Sequence, residues 1–121
     1  MPFTVSSPKI TGVVAGLVFT YKHGPNSNGI FLFIDYTKGD EGGLTIAIAF
    51  INPRMHATNA YSAVKADSSY VISPLTYTVS ATAKLCIPIV VPTGVTKVIV
   101  TLDGVSGTEN GTILIDAEEG V

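Results

Sequence analysis

Charge is scarce in this chain: Asp, Glu, Lys and Arg make up 13% of its 121 residues, against roughly 25% in soluble domains. Nine acids against seven bases give a formal net charge of −2, with no run of either sign. Nucleic acid is therefore not an expected partner, because that role needs Lys and Arg concentrated on one face to displace counterions from phosphates. Tryptophan is absent, and histidine occurs only at His23 and His56. Neither has a second His or a Cys at ligand spacing, so a zinc site has no basis. The single cysteine, Cys86, excludes an intramolecular disulfide. Lying in an apolar run, it reads as a buried, inert thiol. No apolar run approaches the ~18 residues of a spanning helix, so no membrane partner is expected. The best candidate, residues 10–19, is broken by Gly12 and Gly16. It also lacks the basic n-region and small-residue cleavage site of a signal peptide, and none is expected.

Catalytic signatures are missing as well. There is no G-x-S-x-G elbow, phosphate-binding loop or dinucleotide fingerprint. Asp40 and Glu41 lack the regularly spaced oxygen ligands that calcium demands, so they read as a solvated turn tip with Lys38 as the compensating charge. The stretch DGVSGTENG, residues 103–111, misses the EF-hand spacing, and Asn110-Gly111 reads as a tight hairpin turn before a strand. No catalytic, cofactor-binding or metal-ligating residue is assigned, and no enzymatic activity is expected.

What the chain does contain is alternation. Residues 30–51 read IFLFIDYT, then KGDEGG, then LTIAIAFI. Ile30, Leu32, Ile34 and Tyr36 share one face, opposite Phe31, Phe33, Asp35 and Thr37. Leu44, Ile46, Ile48 and Phe50 likewise oppose Thr45, Ala47, Ala49 and Ile51. A period of two marks strands with one strongly apolar face. Gly39, Gly42 and Gly43 offer positive-φ freedom, so the two runs read as a long antiparallel hairpin, with Phe31, Phe33 and Phe50 in the core. Further alternating runs follow at residues 75–83, 85–91, 96–102 and 112–117. Pro88 and Pro92 make the run 85–91 an edge strand or a bulged one. Residues 54–60 form a connector with room for a helical turn.

About seven to eight short strands separated by Gly, Pro, Asn and Ser indicate an all-β fold, an antiparallel β-sandwich of Ig-like or jelly-roll topology. Residues 1–9 are expected to form an N-terminal arm and residues 10–121 a single sandwich domain. Hydrophobic residues reach 46% of the chain and mean hydropathy is +0.45. A domain this small cannot hide all of that in one core, so some of it should lie on a surface covered by a protein partner. The arm and the loops at residues 23–29 and 53–60 are candidate contacts. For sugar binding, only Tyr61, Tyr70 and Tyr77 are available as stacking residues.

The segment IDYTKGDEGGLTIAIAFI resembles a group of small proteins encoded among the structural genes of tailed bacteriophages. The shared pattern is a strand ending near Tyr-Thr-Lys-Gly, an acidic turn and a second strongly alternating strand. Similar features follow: Ser73-Pro74-Leu75, a threonine-rich strand, Ile87-Pro88-Ile89, then a Val-rich strand and a Gly/Thr turn. This chain has NPRMHATNAY where the related pattern places an Asp-Gly turn and a Trp-Tyr pair. The resemblance implies a non-enzymatic virion structural protein, a capsid auxiliary or decoration protein. Tail or neck accessory roles and a carbohydrate-binding adhesion module are the alternatives. It further implies the major capsid protein or other virion proteins as partners, a homo-oligomer (a trimer by preference), assembly in the host cytoplasm and localisation in the virion.

Overall fold

The computed structural model describes residues 10–13, 16–24, 28–66, 69 and 71–120. The expected arm, residues 1–9, lies outside these, as do Tyr70 and part of the 23–29 loop. Every strand pairing is antiparallel, and no helix occurs among the described residues. One sheet of the sandwich contains β1 (Ile10–Val13), β3 (Gly29–Thr37), β9 (Ala83–Val90) and β11 (Thr112–Glu119), in the order β1-β11-β3-β9. The other contains β2 (Leu17–Lys22), β10 (Lys97–Gly104) and β4 (Leu44–Ile51), in the order β2-β10-β4. Both β5 (Tyr61–Ser62) and β8 (Thr76–Val79) pair with β4 as its outer neighbour. They occupy successive stretches of one edge: β5 faces Ala49 and Phe50, while β8 faces residues 44–47. Between them the chain leaves as a small hairpin, β6 (Val64–Ala66) with β7 (Ile72–Pro74). The Leu75 amide donates to the Ala63 carbonyl where the detour closes.

With β5 and β8 counted as one interrupted edge strand, the eight principal strands lie in the orders 1-8-3-6 and 2-7-4-5. That is the two-sheet winding of a jelly roll, which settles the choice the sequence left between two sandwich topologies. The expected strand number matches these eight positions, and the small hairpin is an insertion in one of them. Of the edge or bulged strand expected around Pro88, the structure takes the edge, since β9 pairs with β3 alone among the described residues. Residues 53–55 form turns rather than a helix, with the Met55 and His56 amides both donating to the Asn52 carbonyl.

A single cluster of buried side chains spans both sheets. It takes Ile30, Leu32, Ile34, Tyr36, Ile113, Ile115 and Ala117 from one sheet. Phe19, Tyr21, Leu44, Ile46, Ile48, Val98, Val100 and Leu102 come from the other. These are the alternate positions that strand geometry turns inward, each large one contributing about 1.5–3 kcal/mol by leaving water.

The expected hairpin is not present. β3 pairs with β9 and β11, whereas β4 pairs with β10, β5 and β8, so residues 38–43 arch from one sheet to the other. Asn110-Gly111 is not a hairpin turn either, because it links β10 to β11, again across the sandwich. Alternation fixes which side chains face the core but not which strand lies alongside.

Glu41 is fully buried and is not a solvated tip. Its carboxylate accepts hydrogen bonds from the Tyr36 hydroxyl, from the Gly39 amide at 2.8 Å and from the Gly111 amide at 2.7 Å. Asp40 stays exposed; its amide donates to Asn110 Oδ1 at 2.7 Å, and Asn110 Nδ2 donates to its carboxylate at 2.8 Å. The arch and the β10–β11 connection are therefore bolted together by two acidic side chains. Of the arch glycines only Gly43 has positive φ, at 150°. Gly42 is required by close approach instead, since a Cβ there would meet Ser106 Oγ and the Val105 carbonyl at 2.9 Å.

Candidate docking face on the four-stranded sheet

The side chains of β3 that alternate away from the core are Phe31, Phe33, Asp35 and Thr37. No second layer covers them among the described residues: Phe31 and Phe33 are 43% and 44% exposed. The sequence reading placed both phenylalanines in the core. The structure corrects this, while Phe50 does pack against the core, half-buried. The error has a simple cause: β3 is apolar on both faces, and composition cannot tell an inner face from an uncovered outer one.

Register builds the surroundings. Phe33 lies opposite Cys86 on β9 and Asp116 on β11; Phe31 lies opposite Pro88 and Glu118. Asp35 lies between Lys84 and Leu114. The outer face is thus a row of apolar groups along β3, with β11 acids on one flank and β9 residues on the other. A groove of about 500 Å³ opens here, lined by Phe33, Asp35, Lys84, Cys86, Leu114 and Asp116 among others. A separate hollow of about 220 Å³ lies beside Phe31, bounded by Pro88, Val90 and Gly120. Lys84 Nζ donates to Asp35 Oδ2 at 2.7 Å. Both side chains are well solvated, so this pair contributes little to stability.

Cys86 is exposed on this face, contrary to the buried thiol expected from its apolar run. Odd and even positions of β9 part company: Leu85, Ile87 and Ile89 turn toward the core, and Cys86 turns outward with Lys84 and Pro88. In native protein without denaturant, one equivalent of thiol should therefore react with a disulfide reagent. Reaction only after unfolding would contradict this placement.

The other residues weighed from sequence do not converge on this face. His56 is exposed, and its Nδ1 accepts the Thr58 and Asn59 amides at 3.2 and 2.9 Å, which shapes its own loop. Tyr77 is half-buried against the core and unavailable for stacking, whereas Tyr61 is exposed on β5. His23 is buried, and its Nδ1 donates to the Val95 carbonyl at 3.3 Å, leaving Nε2 without a hydrogen-bond partner. Nearby, the Gly24 amide donates to the buried Glu119 carboxylate. Burial, then the charge of Glu119, pushes the Tyr21 hydroxyl well above the usual tyrosine range. Tyr21, His23 and Glu119 are all buried. No set of three or more His, Cys, Asp or Glu side chains able to hold a metal ion occurs among the described residues.

No protein-family profile, curated protein or solved structure matches the chain.

Proposed function

We propose that the protein is a non-enzymatic structural subunit of a tailed-phage virion, an auxiliary or decoration protein that cements the capsid. Its attachment surface is the outer face of the four-stranded sheet. The observation that carries this reading is the exposure of Phe31, Phe33, Leu114 and Val90 on that one sheet. An apolar face of this kind on a small domain marks a surface that a partner covers. Two further points support it. The sequence resembles small phage structural proteins, and the jelly roll is a winding used by viral capsid and lectin domains, though winding alone does not confer a role. A tail or neck position would use the same face.

A cementing subunit binds by many modest contacts repeated over a symmetric array. Purified protein should therefore cosediment saturably with shells of the major capsid protein that lack it, and should sediment alone as a trimer. Shells that leave it in the supernatant at saturating concentration would overturn the capsid assignment. A monomer at all concentrations would overturn the trimer.

A second reading draws on one specific observation. Phe31 and Phe33 stand two residues apart, flanked by Glu118 and Asp116. Exposed rings beside carboxylate acceptors are what a sugar-binding face offers, and these rings were not counted among the stacking candidates in the sequence. Binding of an oligosaccharide, with no binding to shells, would favour this adhesion role.

A further inference from the structure

We infer that Asn110 is a deamidation site that the Glu41 clamp keeps silent, and that its conversion to a carboxylate irreversibly releases the arch from the β10–β11 connection. This goes beyond the proposed function and holds whatever the outer sheet face binds. Asparagine is chemically labile, and most so before glycine, which puts no side chain in the way of ring closure. The Gly111 nitrogen attacks Asn110 Cγ, and the new N–C bond closes a five-membered imide. The Nδ2 group leaves as ammonia, taking the proton of the Gly111 amide. Water then adds to either imide carbonyl and opens the ring to aspartate or isoaspartate. One water is consumed and one ammonia released, with no change of oxidation state.

Three features of the fold oppose the first step. The Gly111 amide donates to the buried Glu41 carboxylate at 2.7 Å. The attacking nitrogen is thus held in place, and the adjacent negative charge resists loss of its proton. Asn110 is held through both ends of its side-chain amide: Oδ1 accepts the Asp40 amide at 2.7 Å, and Nδ2 donates to the Asp40 carboxylate at 2.8 Å. The Gly39 backbone packs on the peptide between Asn110 and Gly111, so closely that a Cβ there would lie 2.5 Å from the Gly111 nitrogen. Ring closure therefore requires the clamp to open, and the rate of deamidation follows the population of the open form. The product cannot restore the clamp. A carboxylate at position 110 has no proton to give Asp40, which leaves two like charges side by side. Isoaspartate also lengthens the main chain by one carbon, immediately before the amide that Glu41 must hold.

The chain carries its own control. Asn28-Gly29 is the same dipeptide, and Asn28 is exposed just before β3, at the end of that strand away from the arch. The test follows both sites by peptide mass spectrometry of the full chain in mildly alkaline buffer, native and in urea. In urea the two should react at similar rates. In native protein Asn110 should react at least about a hundredfold more slowly than in urea. Glu41→Gln should speed it about tenfold, equivalent to about 1.4 kcal/mol of opening free energy. Asp40→Ala, at an exposed position, should speed it in the same direction. Neither variant should change the native rate at Asn28. All rates are read below each variant's melting temperature, with circular dichroism confirming the fold. Asn110→Asp, which carries the aspartate product, should melt below wild type, and its Gly111 amide should exchange hydrogen faster. Equal rates at Asn110 in native protein and in urea would overturn the inference, as would a native rate unmoved by both variants. Acceleration of Asn28 and Asn110 together would assign the effect to general loosening and remove the clamp's role. An Asn110→Asp variant that melts with the wild type would overturn the release.

Discussion

Replacing Ile46 by Asp should abolish soluble folding, with loss of the β-type circular dichroism signal. Ile46 is fully buried on the inner face of β4, between Tyr77 on β8 and Leu102 on β10. Removing a buried branched side chain costs about 2–5 kcal/mol through lost burial and the cavity left behind. An unpaired carboxylate in the same place adds several kcal/mol more, or forces the group to stay protonated. The sum approaches the roughly 5–15 kcal/mol that holds a whole domain together. Thr45, one residue away, turns to the opposite face and lies across from Asp103 on β10. Thr45→Lys should therefore be tolerated within about 0.5 kcal/mol, since it sets a cation opposite a carboxylate. Thr45→Asp is a poorer control, because it would confront Asp103 with a like charge. Matched tolerance of Ile46→Asp and Thr45→Lys, measured by urea unfolding, would mean that the inner face of β4 is misassigned.

Acid should unfold the protein through Glu41. The hydrogen bond from Tyr36, opposed by burial and reinforced by the Gly39 and Gly111 amides, holds its carboxyl down at about 2, from an ordinary 4.5. Tyr36 moves the other way: burial, then the Glu41 hydrogen bond and charge, pushes its hydroxyl well above the usual range. A carboxyl depressed in the folded state contributes stability that is fully present above its unfolded value. That stability is lost as pH falls from about 4.5 toward about 2. Glu109 acts in the opposite sense. Burial, then hydrogen bonding and charge from Asp103, raises its carboxyl, so its contribution is lost as pH rises. The informative quantity is therefore the difference between wild type and Glu41→Gln, not either curve alone. At pH 7 the variant should melt on the order of 10 °C lower, because glutamine cannot accept all three hydrogen bonds. By pH 2.5 the gap between the two melting temperatures should have narrowed sharply, and it should close only below about pH 2. Parallel curves over that range would show that ionised Glu41 does not clamp the two connections.

That clamp shows where sequence reasoning stopped. Asp40-Glu41 among glycines has the composition of an exposed turn, and Asp40 is indeed exposed. Nothing within residues 38–43 announces that the β10–β11 connection, some seventy residues later, closes over Glu41. The nearest local signal is Tyr36, an inward position five residues away whose hydroxyl needs a partner once buried. Cys86 and the two outer phenylalanines were misjudged for a related reason. Their runs are apolar throughout, and a run of that kind is compatible with burial on one face or on two.

The sequence by itself determined the secondary structure and the sidedness of the main strands. The set Ile30, Leu32, Ile34 and Tyr36 is buried together, as are Leu44, Ile46 and Ile48, and Val98, Val100 and Leu102. This was legible because side-chain direction in a strand is a local property with a period of two. Pro88 marked an edge or bulged strand for an equally local reason, the missing amide hydrogen. Only the tertiary structure decided the neighbours: that β3 and β4 part into different sheets, that eight strand positions wind as a jelly roll, and that Glu41 is sealed inside. Those outcomes depend on pairings between segments far apart in the chain, which no local pattern encodes. The uncovered outer face follows from the same division. Alternation set Phe31 and Phe33 opposite the core side of β3, but only the assembled layers left that side uncovered and brought Asp116 and Glu118 beside it.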